Sequence, residues 1–233
     1  MVMRSPTPAR AALCIVLTAS ASTAVRAETP REILTVAAFQ TIDKAKALAL
    51  IGRAISSADT ILQSHPGDRE ATLQRGIGIG YRAKLMRSRT DAKASLGIFQ
   101  SLATKDPRDP EVQMVIAGWH LDAIDQLGGF VARTILGARA QDGDDAMNRA
   151  VALGGSRPFF NGLAAMMRIR QDSRDVSGAR KWAEVAAAGP VATPLDALMK
   201  RNAAAILPAL RANNGKAAAA LARKLLPFGG LAG

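Results

Sequence analysis

The chain has two imidazoles, His65 and His120, and one thiol, Cys14. His65 lies in SHPGD, a turn entering a helix, and His120 follows Trp119 in an apolar stretch. Two histidines in separate segments, with no cysteine near either, do not make a zinc site. The acidic run DGDD (Asp142, Asp144, Asp145) invites calcium, but Leu153 stands where the loop's twelfth-position glutamate belongs. Negative charge at the start of the helix that begins at AMNRAVAL explains the run more simply. No serine sits in a G-x-S-x-G elbow, and no Ser-x-x-Lys pair has supporting partners. A carboxylate pair for sugar hydrolysis leaves no local signature, since any two acids can meet in space, and nothing marks a particular pair here. The residues predict no catalytic centre, no metal and no cofactor.

QRGIGIGYRAK, residues 74–84, is the remaining candidate for chemistry, because glycines 76, 78 and 80 could form a phosphate loop. A dinucleotide fingerprint needs a third glycine where Tyr81 stands, and a strand before it. A P-loop needs Lys and then Ser or Thr after its last glycine; here Tyr81 and Arg82 follow Gly80. On a helix, Gly76 and Gly80 share a face and admit a neighbouring backbone. Each glycine costs about 0.5–1 kcal/mol relative to alanine, which close packing has to offset. The segment reads as a packing helix.

Positive charge is what remains. Arg75, Arg82, Lys84, Arg87, Arg89 and Lys93 cluster around Tyr81, and Arg168, Arg170, Arg174, Arg180 and Lys181 form a second group. Such runs keep a lean helical protein soluble. They also suit an acidic surface or peptide, so Arg75, Tyr81, Arg82, Arg87 and Arg89 are candidate partner-binding residues. Trp119 and His120 mark a candidate apolar groove. With one tyrosine to stack on bases, nucleic acid is not an expected partner.

These residues must be positioned by helices. Thr29-Pro30-Arg31-Glu32 carries a capping threonine, a first-turn proline and a glutamate three residues on. Apolar residues at 51, 55, 58 and 62, and again at 112, 115, 116, 119, 123, 124 and 127, step by threes and fours. Helix starts recur at Asp68, Asp109-Pro110-Glu111 and Thr193-Pro194. About ten helices are expected by this periodicity, with no strand alternation, so the class is all-α.

A frame of a small residue, a packing residue four later and a proline eight beyond that recurs five times. It reads Ala54, Ala58, Pro66; Ser95, Phe99, Pro107; Ala146, Ala150, Pro158; Gly178, Trp182, Pro190; and Gly215, Ala219, Pro227. Each proline is expected to close the second helix of a hairpin. TKDPRDPEVQMVIAGWH shows this junction best, and its middle resembles the inter-repeat turn of tetratricopeptide-repeat proteins. The resemblance covers most of residues 43–227. Proline steps of 41, 51, 32 and 37 residues stand against a family period near 34. The 51-residue step is expected to hold an extra helix, FVARTILGARAQ. The aromatic and Leu-Gly signature of the family's first helix is largely missing, so the array is degenerate. The resemblance implies a right-handed stack of antiparallel helix hairpins, an α-solenoid, with a concave surface for a protein or peptide.

The N-terminus reads as a secretory signal. Arg4 and Arg10 form a basic start, AALCIVLTASASTAV a short apolar core, and Val25 and Ala27 the small residues before a cleavage point at Glu28. Residues 1–27 are thus expected to be removed, leaving 28–233 as one domain; the alternative is an uncleaved N-terminal anchor. Ala11-Ala12-Leu13 before Cys14 does not fit a lipoprotein signal. The mature chain keeps 28 basic residues against 19 acidic ones, a net +9, and no cysteine. No further apolar run approaches membrane-spanning length. The expected function is a periplasmic or secreted scaffold that binds a protein or peptide, acidic in character, without catalysis. The alternatives are an accessory subunit of a solute-uptake or envelope-assembly complex, and an enzyme acting on envelope polymer through unrecognised carboxylates. A buried acidic pair in a deep pocket would favour the enzyme, and a broad open groove the scaffold.

Overall fold

The computed structural model describes residues 1–2 and 27–231, and among them every regular element is a helix. The signal sequence expected at residues 1–27 falls almost wholly outside the described residues. Eleven helices follow one another: α1 (Pro30–Phe39), α2 (Lys44–Ser64), α3 (Arg69–Met86), α4 (Arg89–Lys105), α5 (Pro110–Leu127), α6 (Gly129–Leu136), α7 (Ala140–Gly154), α8 (Pro158–Gln171), α9 (Val176–Ala188), α10 (Pro194–Arg211) and α11 (Gly215–Leu225). None is long and apolar enough to cross a membrane.

Local chemistry starts these helices where the sequence indicated. Thr29 and Glu32 close a reciprocal capping box on α1, and Thr193 and Asp196 do the same on α10. Asp68, Ser88 and Asp109 accept hydrogen bonds from the first-turn N–H groups of α3, α4 and α5. The run Asp142 to Asp145 lies inside α7 rather than ahead of it, because that helix begins at Ala140. The inserted helix is shorter than FVARTILGARAQ: Gly137, at φ 80°, ends α6, and Ala140-Gln141 already belong to α7.

The helices pack as five successive pairs, α1/α2, α3/α4, α5/α7, α8/α9 and α10/α11, with α6 inserted in the third. The recurring small and packing residues fall on the second helix of each pair. Ala54, Ala58, Ser95, Phe99, Ala146, Ala150 and Ala219 are all buried there. Pro66, Pro107 and Pro190 lie in the turns after the second helices. Pro158 instead occupies the first turn of α8, where its missing N–H has no helical partner to lose.

The glycines of α3 are packing positions. A Cβ on Gly76 would lie 2.7 Å from Phe99 Cε1 and 2.9 Å from Ile98 Cγ2, both on α4. One on Gly78 would lie 2.8 Å from Ile55 Cγ1 on α2. Glycine lets α3 sit between its two neighbours at distances no side chain permits.

The stack also closes on itself. After α11 the chain turns back, and the Phe228 N–H donates to the Ala38 carbonyl at 2.7 Å. Phe228 is buried in one apolar cluster with Ile33, Leu34, Ala37 and Ala38 of α1 and Ala47, Ile51 and Ala54 of α2. The segment after the fifth pair thereby meets the first pair, and the helices between them surround a partly open interior.

Candidate functional site

That interior is a chamber of about 380 Å³. Its wall is built mainly by the first helix of each pair, with Ala92 and Phe99 added from α4. Leu34 comes from α1, Ile77, Gly80 and Tyr81 from α3, Met114, Val115 and Gly118 from α5, Phe159, Leu163 and Met167 from α8, and Leu195 from α10. Leu226 and Pro227, on the returning tail, close one side. The lining residues that are exposed, Arg87, Arg89, Gln126, Leu127 and Ile135, belong to the α3–α4 turn, the end of α5 and α6. The mouth therefore lies there, framed by the inserted helix.

The polar groups of the chamber are mostly committed to one another. Lys84 Nζ lies 2.8 Å from Asp122 Oδ2 and donates to the Pro227 carbonyl at 3.3 Å, pinning the tail. Arg170 Nη1 binds the other oxygen of Asp122 at 2.5 Å. Burial pushes the Asp122 carboxyl up, but Lys84 and Arg170 outweigh it and hold the group below the ordinary range. Arg31 is held at 2.7–2.8 Å by Glu70 and Glu111, tying α1 to α3 and α5. Among the residues that line the chamber, Gln74 is the exception. It is 3% exposed, contributes to the wall, and its Nε2 has no hydrogen-bond partner. An unpaired buried donor costs on the order of 1–3 kcal/mol.

The structure divides the sequence-derived partner residues. Arg75 is bound to Asp59 at 2.6 Å, and Arg82 grips Asp91 with two hydrogen bonds of 2.8 and 2.9 Å. Both stitch neighbouring helices together. Tyr81 is covered by the tail, its ring edge-on to Phe228 with centroids 4.9 Å apart, and burial, then the charge of Asp122, pushes its phenol up. Arg87 and Arg89 have no ion-pair partner among the described residues, are exposed, and stand at the mouth. Trp119 lines the chamber and donates its indole N–H to the Ala92 carbonyl at 2.8 Å. His120 faces away from the chamber: its Nδ1 accepts the Arg139 N–H at 3.2 Å and fixes the link into α7. The second basic group is likewise engaged in part, with Arg168 on Asp175 and over the Trp182 ring, and Arg170 on Asp122.

Sequence reasoning missed Gln74, Gly118 and Asp122. Gln74 was legible only as the residue that begins QRGIGIG, and Asp122 as an acid within the apolar rhythm of α5. Chemically, the chamber offers an apolar interior and cationic guanidinium groups at its entrance. Asp122 is the one carboxylate in its wall among the described residues, and it is held ionised. Asp144, raised chiefly by burial, lies outside the chamber. No family model, curated protein or solved structure matches the chain.

Proposed function

We propose that the protein is a non-catalytic, helical-repeat binding protein whose guest enters the chamber between the helix pairs. The observation that carries this reading is the apolar interior of about 380 Å³. That volume falls within the roughly 300–1,000 Å³ of pockets that enclose small ligands. The enzyme alternative calls for a buried acidic pair in a deep pocket; among the described residues the chamber wall holds one carboxylate, Asp122, paired with Lys84 and Arg170. The signal sequence adds a periplasmic or secreted location, with Glu28 as first mature residue. In keeping with that, Thr29 already caps α1.

The test uses Nile red, a neutral dye whose emission shifts to the blue in apolar surroundings. The mature protein should bind one equivalent with a blue shift. Gly118→Leu should abolish the shift, because Gly118 lines the chamber and a Cβ there meets nothing within 4 Å. Absence of binding by the folded wild type would overturn the chamber reading.

A second reading is favoured by the surface around the mouth. Met86, Leu127, Phe130 and Ile135 are exposed large apolar residues on the elements that frame it, with Arg87 and Arg89 beside them. A protein or peptide with apolar and acidic side chains, as the repeat resemblance implies, would dock there. In that reading the protein is a scaffold or an accessory subunit in uptake or envelope assembly. Co-purification from the native envelope, with and without Phe130→Ser, tests it: a partner lost with the substitution supports docking at the mouth.

A further inference from the structure

We infer that the guest of this chamber is a single-chain anionic amphiphile, an acyl carboxylate, with its acid on Arg87 and Arg89 and its chain running inward along α3. The inference rests on the chamber reading above and adds the guest's chemical class and orientation. Three observations carry it.

The first is the chamber's elongated form. Its wall includes Gln74 near the start of α3 and Arg87 just past its end. Thirteen residues separate them, which at 1.5 Å per residue is about 20 Å of helix. A cavity that follows α3 over that distance is long enough to take one extended acyl chain.

The second is the distribution of charge. The cations deeper in the wall, Arg31 and Lys84, are each satisfied by carboxylates of this chain. Arg87 and Arg89 are not, and they are the lining cations that stand at the mouth. They approach from opposite sides of the α3–α4 turn, Arg87 as the left-handed cap of α3 (φ 54°) and Arg89 as the first residue of α4. Guanidinium groups bind a carboxylate with paired, charge-assisted hydrogen bonds. An apolar chamber with unpaired positive charge only at its entrance is complementary to a molecule with one acidic end.

The third is the orphan Gln74 Nε2, buried in the wall at the far end of α3 from the mouth. Of the buried donors without a partner among the described residues, it alone belongs to a residue of the chamber wall, where it is free for an acceptor brought into the chamber. A water carried in beyond the chain end provides the acceptor.

The experiment titrates the mature protein with dodecanoate, and separately with dodecanol, the neutral molecule of equal chain length. Binding is read calorimetrically and from Trp119 fluorescence in a Trp182→Phe background. Dodecanoate should bind at one equivalent, about tenfold or more tighter than dodecanol, with a preference that weakens as salt rises. Arg87→Gln with Arg89→Gln should erase the preference while leaving the Nile red signal and the melting temperature in place. Gly118→Leu should abolish binding of both. Equal binding of acid and alcohol, or a preference that survives loss of both arginines, overturns the anionic-guest inference and leaves the chamber reading standing. Dodecanoate binding that survives Gly118→Leu places the chain outside the chamber and overturns the inference too. Failure of Nile red, dodecanol and dodecanoate alike overturns both.

Discussion

Replacing Gly76 with leucine tests the packing of α3 most sharply. The first added carbon would already sit 2.7 Å from Phe99 and 2.9 Å from Ile98, distances that side-chain carbons do not adopt. Phe99 is itself buried with Leu73, Leu102 and Val112, so it has little room to retreat. Relief requires α4 to move outward or Phe99 to leave its position. Overpacking of this kind costs about 1–3 kcal/mol, and the direct clash at Cβ puts Gly76→Leu near the upper end. The helix recovers about 0.5–1 kcal/mol by losing a glycine. The net destabilisation is about 2 kcal/mol, and at 2–4 °C per kcal/mol for a chain of this size the melting temperature falls by about 4–8 °C. Thermal unfolding followed by far-ultraviolet circular dichroism measures it. Gly97→Ala on α4 is the matched control: nothing lies within 4 Å of its Cβ, and stability should rise by about 0.5–1 kcal/mol. If Gly76→Leu melts with the wild type while Gly97→Ala behaves as stated, α3 and α4 do not meet at Gly76 and the argument from close approach is wrong.

Asp122→Asn should destabilise by about 3 kcal/mol in urea unfolding, since Arg170, whose side chain is 4% exposed, is left with only the more distant Asp125, at 3.9 Å, as counter-charge. Asp122→Leu combined with Arg170→Met should recover most of that loss; a double variant as weak as Asp122→Asn would mean the charge is not what matters. Phe228→Ala should cost about 3 kcal/mol and raise hydrogen exchange in α1, because the tail would lose its seat against Ile33, Leu34 and Tyr81. Burial lowers the His120 pKa, Asp142 opposing only in part and Arg139 adding to the shift, so the fold favours the neutral ring. That stabilisation is present above the unfolded value of about 6.5 and is lost as pH falls below it, so His120→Gln should flatten the decline in stability just below pH 6.5. N-terminal sequencing of the exported protein should begin at Glu28; a mature chain that retains Arg4 and Arg10 would show that the segment is an anchor.

Much of this architecture was legible because its signals are local. A capping threonine with a glutamate three residues on, or an aspartate before a proline, acts within one turn, and α1, α5 and α10 begin where those signals stand. The hairpin frame was readable for a related reason. A small residue and a packing residue four apart share one helix face, so Ala54 with Ala58 and Ala146 with Ala150 declare a buried stripe without reference to any partner helix. Charge was a poorer guide. Arg75 and Arg82 look like a free basic patch in the sequence, yet their acids lie sixteen residues before and nine residues after, across turns that bring the helix ends together. Only Arg87 and Arg89, set at a turn instead of on a packed helix face, kept their charge for the entrance.

The chamber could not be read in the same way, because it is a property of the whole stack. Each pair of helices fixes only its rotation on the next, and small rotations accumulate along a solenoid. Whether five pairs leave an open groove or bring the ends together depends on the sum. Here it brings Ala38 within reach of Phe228, nearly two hundred positions away in the chain. The final proline of the repeat frame, Pro227, reads as one more hairpin terminator, but the segment around it turns back toward α1 and along the chamber. Its carbonyl then meets Lys84, and the next residue fills the cluster between α1 and α2. Closure sets Phe228 edge-on against Tyr81 and makes an interior of the side that the proposed guest would enter. The same helices with an open end would present Tyr81 and Lys84 to any acidic partner. Joined by the tail, they leave the chamber an entrance between α6 and the two arginines, Arg87 and Arg89.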